Sequence, residues 1–167
     1  MTIIFLGPKF LIRQFQLSEE KIFCSFFDDE EVMRYLPLRT NEEYKKLFKA
    51  ALGDYKEGPL GRWGIFDLNN GDYIGNCLLR KLAENPVCLE IGYSIGKVYW
   101  GKGIGSEVAK AIVDYAFSHT DTNELVALTE AENIGSQRIL EKVGFHRNSN
   151  IQREGVDLYL FRLIRSV

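Results

Sequence analysis

The chain has 167 residues, of which 46% are hydrophobic and 26% charged, and its formal net charge is −2. These values are ordinary for one globular domain covering residues 1–167, and they argue against a broad nucleic-acid-binding surface, which needs clustered Lys and Arg. Three cysteines without close pairing and two distant histidines argue against a disulfide framework or a metal site. The sequence has neither a long apolar run nor a signal-peptide pattern, which predicts a cytoplasmic protein without a membrane partner.

The first half of the chain predicts strands and short helices. Strand formers at residues 3–6 and 10–15 flank a Gly-Pro turn, and the second run is expected either to pair with the first or to extend it after a bend. Helices are predicted from an N-cap at Ser18 to about Phe27, from Asp29 to just before Pro37, and after the capping signal at Thr40. Residues 62–68 and 73–79 predict two strands, because the sequence Asn-Asn-Gly-Asp between them favours a hairpin turn.

The second half predicts alternating strands and helices. Residues 89–95 form a strand that leads into a long amphipathic helix, and residues 124–129 form a buried strand. A short helix begins at Asn133 and ends at Gly144, and a last strand covers residues 157–163. The order of elements predicts a mixed α/β sheet covered by helices.

A glycine-rich stretch opens the long helix, namely Tyr99-Trp100-Gly101-Lys102-Gly103-Ile104-Gly105-Ser106. Glycine permits positive φ, and a helix N-terminus presents unpaired N–H groups with partial positive charge, so the stretch favours phosphate binding. A Walker A loop for nucleotide hydrolysis fits poorly because Gly103 stands where a Ser or Thr is needed, and Ser106 replaces the last glycine of a dinucleotide fingerprint. A plain glycine-rich turn is the structural alternative.

Three segments, in the right order, resemble the GNAT superfamily of N-acetyltransferases, especially the branch that acetylates the N-termini of ribosomal proteins. They are Glu90-Ile91-Gly92-Tyr93-Ser94-Ile95, then the glycine-rich stretch, then Asn133-Ile134-Gly135-Ser136 with Gly144-Phe145. The family's pyrophosphate loop has the pattern Gln/Arg-x-x-Gly-x-Gly/Ala, which Gly103 and Gly105 match, whereas Trp100 takes the place of Gln or Arg.

The resemblance implies a mostly antiparallel central sheet of about six to seven strands, flanked by helices and splayed where acetyl-CoA binds. It implies that the backbone of Trp100, Gly101, Lys102, Gly103, Ile104, Gly105 and Ser106 binds the pyrophosphate. The pantetheine arm would pair with the strand at Tyr93, Ser94 and Ile95. Asn133 and Ser136 would lie near the pantetheine and the sulfur, and no metal is implied.

Amide formation needs a neutral amine, a polarised carbonyl and a proton for the thiolate. Glu90 is the candidate base, directly or through water, and its alternative role is an ion pair with Lys or Arg. The N–H of Ile95 is a candidate oxyanion donor. Ser136 is the candidate donor to the thiolate, directly or through water, and it could instead satisfy a backbone N–H. Many family members carry a Tyr that acts as general acid where this chain has Glu141, so proton transfer through water is an alternative. Asn133 could be a plain N-cap.

We therefore expect acetyl transfer from acetyl-CoA to a primary amine by direct attack in a ternary complex. The resemblance favours a protein or peptide N-terminus as acceptor. A polyamine or aminoglycoside is the enzymatic alternative, and an acyl-CoA-binding sensor without turnover is the alternative from another class, since Trp100 and Glu141 depart from the family pattern. A homodimer is left open.

Overall fold

A computed structural model of the chain describes residues 1–166 and contains one mixed sheet of eight strands. The strands are β1 (Ile3–Leu6), β2 (Phe10–Arg13), β3 (Gly61–Asp67), β4 (Tyr73–Lys81), β5 (Leu89–Ile95), β6 (Glu124–Glu130), β7 (His146–Arg153) and β8 (Val156–Ile164). Their spatial order is β1-β2-β3-β4-β5-β6-β8-β7, and every neighbouring pair is antiparallel except β5 and β6. The mostly antiparallel α/β sheet is confirmed, with more strands than the six to seven expected.

Five α-helices cover the two faces of this sheet. They are α1 (Glu20–Ser25), α2 (Glu30–Met33), α3 (Asn41–Asp54), α4 (Ile104–His119) and α5 (Ile134–Val143). Successive strand residues point to opposite faces, and β3 shows the division. Ile65 packs in the cluster that contains the buried side of α4, whereas Phe66 packs with residues of α1 and α3. The helices of the first half thus cover one face, and α4 covers the other.

Local capping signals set most of the helix boundaries. Thr40 forms the predicted capping box with Glu43 at the start of α3, and Gly144 ends α5 in the left-handed conformation at φ +102°. The N-cap predicted at Ser18 is wrong. A 3₁₀ turn over Leu17–Glu19 precedes α1, and Gln16 and Glu19 form its capping box.

The two parallel strands separate soon after they meet. β5 and β6 pair only at Leu89 with Leu125 and at Glu90 with Val126. Within residues 1–166, the stretch 91–95 of β5 therefore has a sheet neighbour on its β4 side alone. This opening is the splay that the family resemblance implied, and we refer to it below as the gap.

Candidate active site

The last part of β5 presents backbone hydrogen-bonding groups to the gap. The N–H of Gly96 donates to the Ile74 carbonyl of β4 at 2.8 Å. In an antiparallel pair, successive residues alternate in the direction of their N–H and C=O groups. The backbone N–H and C=O groups of Tyr93 and Ile95 therefore face away from β4. The indole N–H of Trp100 donates to the Ile95 carbonyl at 2.7 Å, which agrees with this direction. The backbone groups of Ser94 face β4, so only its side chain is free for other contacts.

The glycine-rich stretch continues from this strand and starts α4 at Ile104. Gly101 and Gly103 have φ values of +72° and +79°, which is the left-handed region that glycine tolerates. Gly103 is the N-cap, and no side chain among residues 1–166 caps the helix there. The first-turn N–H groups through Ser106 are therefore left for another acceptor, at the positive end of the helix dipole. Lys102 adds a positive charge beside them.

Two residues of this stretch have a structural role that the sequence pattern did not reveal. Trp100, which replaces the usual Gln or Arg, closes the turn onto the end of β5 through its indole hydrogen bond. Gly105 allows α5 to approach α4, because a Cβ at this position would lie 2.7 Å from the Cδ1 atom of Ile139. The open side of the loop is therefore formed by Gly101 and Gly103.

A tyrosine and a serine meet on the α4 side of the gap. The Tyr93 hydroxyl lies 3.2 Å from the Ser136 Oγ, which the first turn of α5 holds in place. Burial raises the pKa of Tyr93 to about 12, although the Ser136 hydrogen bond opposes this shift. Only a backbone role was expected of Tyr93 from the sequence. Strand alternation was the available signal, because it places Tyr93 on the same face as Ile91.

Asn133 has the N-cap role given above as its structural alternative. Its Oδ1 accepts a hydrogen bond from the Ser136 N–H at 3.1 Å, so it orients the turn that carries the Ser136 hydroxyl. Glu141, at the position of the family's acidic tyrosine, is exposed on α5.

Glu90 lies on the opposite face of the sheet and is 5% exposed. Its carboxylate accepts four hydrogen bonds, two from Arg80 at 3.0 and 3.1 Å and two from Arg153 at 3.1 Å. Arg153 reaches it from β7 and also binds Glu84. A carboxylate has about four lone-pair sites, so the two guanidinium groups occupy the hydrogen-bonding capacity of Glu90.

The segment around α2 connects both sides of the gap. Glu31 binds Lys97, which follows β5, at 3.0 Å. The Tyr35 hydroxyl donates to the carbonyl of Glu132, which follows β6, at 3.2 Å. These two contacts connect the segment to both borders of the gap.

Neither a metal-binding cluster nor a membrane-spanning helix is found among residues 1–166. They contain no group of three or more His, Cys, Asp or Glu side chains arranged to hold a metal ion. None of their helices combines the length and the apolar character that crossing a bilayer requires.

Comparison with known proteins agrees with this geometry. Residues 9–146 match the family model described as an acetyltransferase (GNAT) domain. The probable N-acetyltransferase YjcK of Bacillus subtilis is 35% identical over 134 residues, which are 80% of this chain and 74% of that protein. The uncharacterized N-acetyltransferase p20 of Bacillus licheniformis is 26% identical, over 92% of both chains.

Solved structures show the same fold. The ribosomal-protein-S5-alanine acetyltransferase from Vibrio fischeri has a TM-score of 0.84 at 18% identity, covering 99% of this chain and 97% of that chain. A ribosomal L7/L12 α-N-protein acetyltransferase in complex with coenzyme A has a TM-score of 0.82 at 16% identity, covering 98% of both chains. Because the family model matches most of this chain, residues 9–146, the chain belongs to the GNAT family of acetyltransferases.

Proposed function

We propose that this protein transfers an acetyl group from acetyl-CoA to a primary amine, by direct attack in a ternary complex. The observation that supports this most is the continuous path from the unpaired edge of β5 into the open loop at the start of α4. The fit to the coenzyme is good, because a Cβ on Gly101 would meet no atom within 4 Å, so the loop is not filled by the protein itself. When bound, acetyl-CoA supplies an acetyl group activated as a thioester.

Backbone groups would make most of the coenzyme contacts. The N–H groups from Gly101 to Ser106 and the positive end of α4 suit a diphosphate. Tyr93 and Ile95 suit an extended amide chain, which would add to β5 as another strand. The N–H of Ile95 would also donate to the thioester oxygen, and the side chains of Ser94 and Asn133 are proposed to border the pantetheine arm.

Ser136 and Tyr93 are the proposed donors at the sulfur end. A tyrosine whose pKa is near 12 remains protonated at neutral pH, so its hydroxyl donates and does not accept a proton. Tyr93 would donate a hydrogen bond to the Ser136 Oγ, 3.2 Å away, and the Ser136 hydroxyl would donate to the departing thiolate. The pair would stabilise the thiolate, and the proton that the amine loses on forming the amide would reach the sulfur through water.

Glu90 has two proposed roles, and one variant separates them. As a base acting through water it would help to neutralise the amine, which requires a water to replace one of its four arginine hydrogen bonds. As a counter-ion it would hold Arg80 and Arg153 in place. An α-amino group is already roughly a third neutral near pH 7.4, so it needs little help. If Glu90 is the base, Glu90→Gln should lower turnover mainly below the pKa of the acceptor amine, where most of the amine is protonated. The counter-ion role predicts lower stability with an unchanged shape of the pH–rate profile.

The proposed acceptor is a protein or peptide N-terminus, supported by the names of two structural neighbours. A small amine is the alternative, and cytoplasmic location and a homodimer remain predictions. The test is release of free thiol on mixing the protein with acetyl-CoA and a panel of peptides and small amines. Release that requires an amine supports a transferase. Tight coenzyme binding without release from any amine would refute it and favour a sensor.

A further inference from the structure

Arg62 is a half-buried cation without a carboxylate partner among residues 1–166. It lies on β3 in register with Leu78 of β4 and Gly92 of β5, on the same face of the sheet as Glu90. Its guanidinium donates to the Oδ1 of Asn76, a residue that is 1% exposed. No ion pair joins Arg62 to any Asp or Glu in this part of the chain, in contrast to Arg80 and Arg153 on the same face.

The guanidinium of Arg62 keeps its charge and has donors left for a ligand. Burial lowers its pKa to about 10, and the charge of Arg80 acts in the same direction, yet the group is still charged at neutral pH. Within the described residues only one of the five N–H donors of this guanidinium has a protein partner, and its other nitrogens are not buried, whereas the Nδ2 of Asn76 is buried without a partner there. The remaining donors of Arg62 are therefore open to a ligand.

A cavity of about 430 Å³ opens beside this arginine, between α3 and the strands β3 and β4. Arg62 and Arg80 line its sheet side together with Leu78, and Arg80 in turn binds Glu90. The acidic residues that line it, Asp54 and Glu57, are exposed at the end of α3 and form no ion pair with Arg62. Arg62 therefore gives the cavity lining a positive charge that no carboxylate of residues 1–166 neutralises.

We propose that Arg62 binds a carboxylate of the amine acceptor, an inference that rests on the proposed acetyl transfer. Neighbouring strands are about 4.8 Å apart, so an anion above β4 would lie roughly 10 Å from the gap beyond β5. An attacking amine lies about 3 Å from the thioester carbon, which leaves roughly 7 Å to the anion. An extended peptide with an acidic second residue spans this remaining distance, as does an amine with a carboxylate at the other end of a short chain. A polyamine would instead be repelled by Arg62.

Matched acceptors test the proposal in two arms that distinguish these sources. The peptide arm compares Ser-Asp-Ala-Ala with Ser-Asn-Ala-Ala, both with amidated C-termini. The small-molecule arm compares 6-aminohexanoate with hexylamine. With acetyl-CoA present, kcat/KM should favour the anionic acceptor by about tenfold in one arm, as expected for a hydrogen-bonded charge pair.

Variants assign this preference to Arg62. Arg62→Gln should reduce the ratio to about one by lowering activity with the anionic acceptor alone, and Arg62→Lys should keep part of it. Lys56→Gln removes an exposed charge near the end of α3 and should keep the full ratio. Thermal unfolding checks that each variant folds; if Arg62→Gln does not fold, the comparison of Arg62→Lys with the wild type decides.

Failure of this inference is separable from failure of the proposed function. Thiol release with equal rates for anionic and neutral acceptors in both arms, or a preference that survives Arg62→Gln, would overturn the role of Arg62 and leave the transferase intact. If no acceptor releases thiol, the transferase proposal fails. Calorimetry with 6-aminohexanoate and hexylamine then tests the anion site. Binding of 6-aminohexanoate alone by the wild type supports the site, and any other result overturns it.

Discussion

Replacing Gly103 by Asp tests whether a diphosphate binds at the start of α4. Gly103 is the N-cap, and its φ of +79° costs a non-glycine residue roughly 1–2 kcal/mol. The new carboxylate would also stand beside the free N–H groups of the first turn. At about 5 Å from a phosphate and an effective dielectric constant of about 20, each charge pair contributes roughly 3 kcal/mol of repulsion.

This repulsion should weaken coenzyme A binding by roughly a hundredfold or more, as measured by titration calorimetry. Gly71→Asp is the matched control, because Gly71 has a φ of +76°, lies in the β3–β4 turn, and would have no atom within 4 Å of an added Cβ. Gly103→Asp should lose no more thermal stability than Gly71→Asp, because a carboxylate at the N-cap offsets part of the cost of the positive φ. Only Gly103→Asp should lose affinity. An affinity of Gly103→Asp within about threefold of the wild type would refute the diphosphate site.

Three further outcomes are expected. Tyr93→Phe should lower kcat by about tenfold or more and leave coenzyme affinity within about threefold, because it removes one donor at the sulfur end; an unchanged kcat would exclude this hydroxyl from catalysis. Phe48→Ala, at a residue that is 0% exposed, should reduce the free energy of unfolding in urea by about 3–5 kcal/mol, whereas Leu38→Ala, at 90% exposure, should change it by less than about 0.5 kcal/mol. The hydrogen bond from Arg153 lowers the pKa of Glu84 below its ordinary value of 4.5. This ion pair therefore stabilises the folded protein above pH 4.5, and its contribution is lost as the pH falls through the lowered pKa. Glu84→Gln should therefore flatten the decline of stability below about pH 4.5, and an unchanged acid limb would contradict this.

Signals confined to a few neighbouring residues explain which parts of the fold were predictable. The strand over Leu89–Ile95 and the helix starting at Asn133 were correctly placed, since alternation, capping side chains and a terminal glycine are all local. β7 was missed because its sequence, HRNSNIQR, is polar and almost entirely exposed. Its position depends on pairing with β8, which no local pattern reveals.

The candidate site shows the same division. The loop around Gly103 was predictable, because its conformation follows from glycine itself. The ion pairs of Glu90 were not, since Arg153 lies 63 residues away along the chain and reaches the carboxylate from the sheet edge. The contact between Tyr93 and Ser136 likewise depends on how α5 packs, which Gly105 permits by its lack of a side chain.

The contacts of Glu31 and Tyr35 have a consequence for how the protein can be altered. They connect the segment around α2 to Lys97, which is 66 positions after Glu31, and to Glu132, which is 97 positions after Tyr35. One partner lies on each border of the gap. A short N-terminal segment thus contacts the ends of two strands that belong to the C-terminal half. Exchanging the N-terminal third with that of a relative would therefore replace one partner in each of these contacts at the borders of the gap.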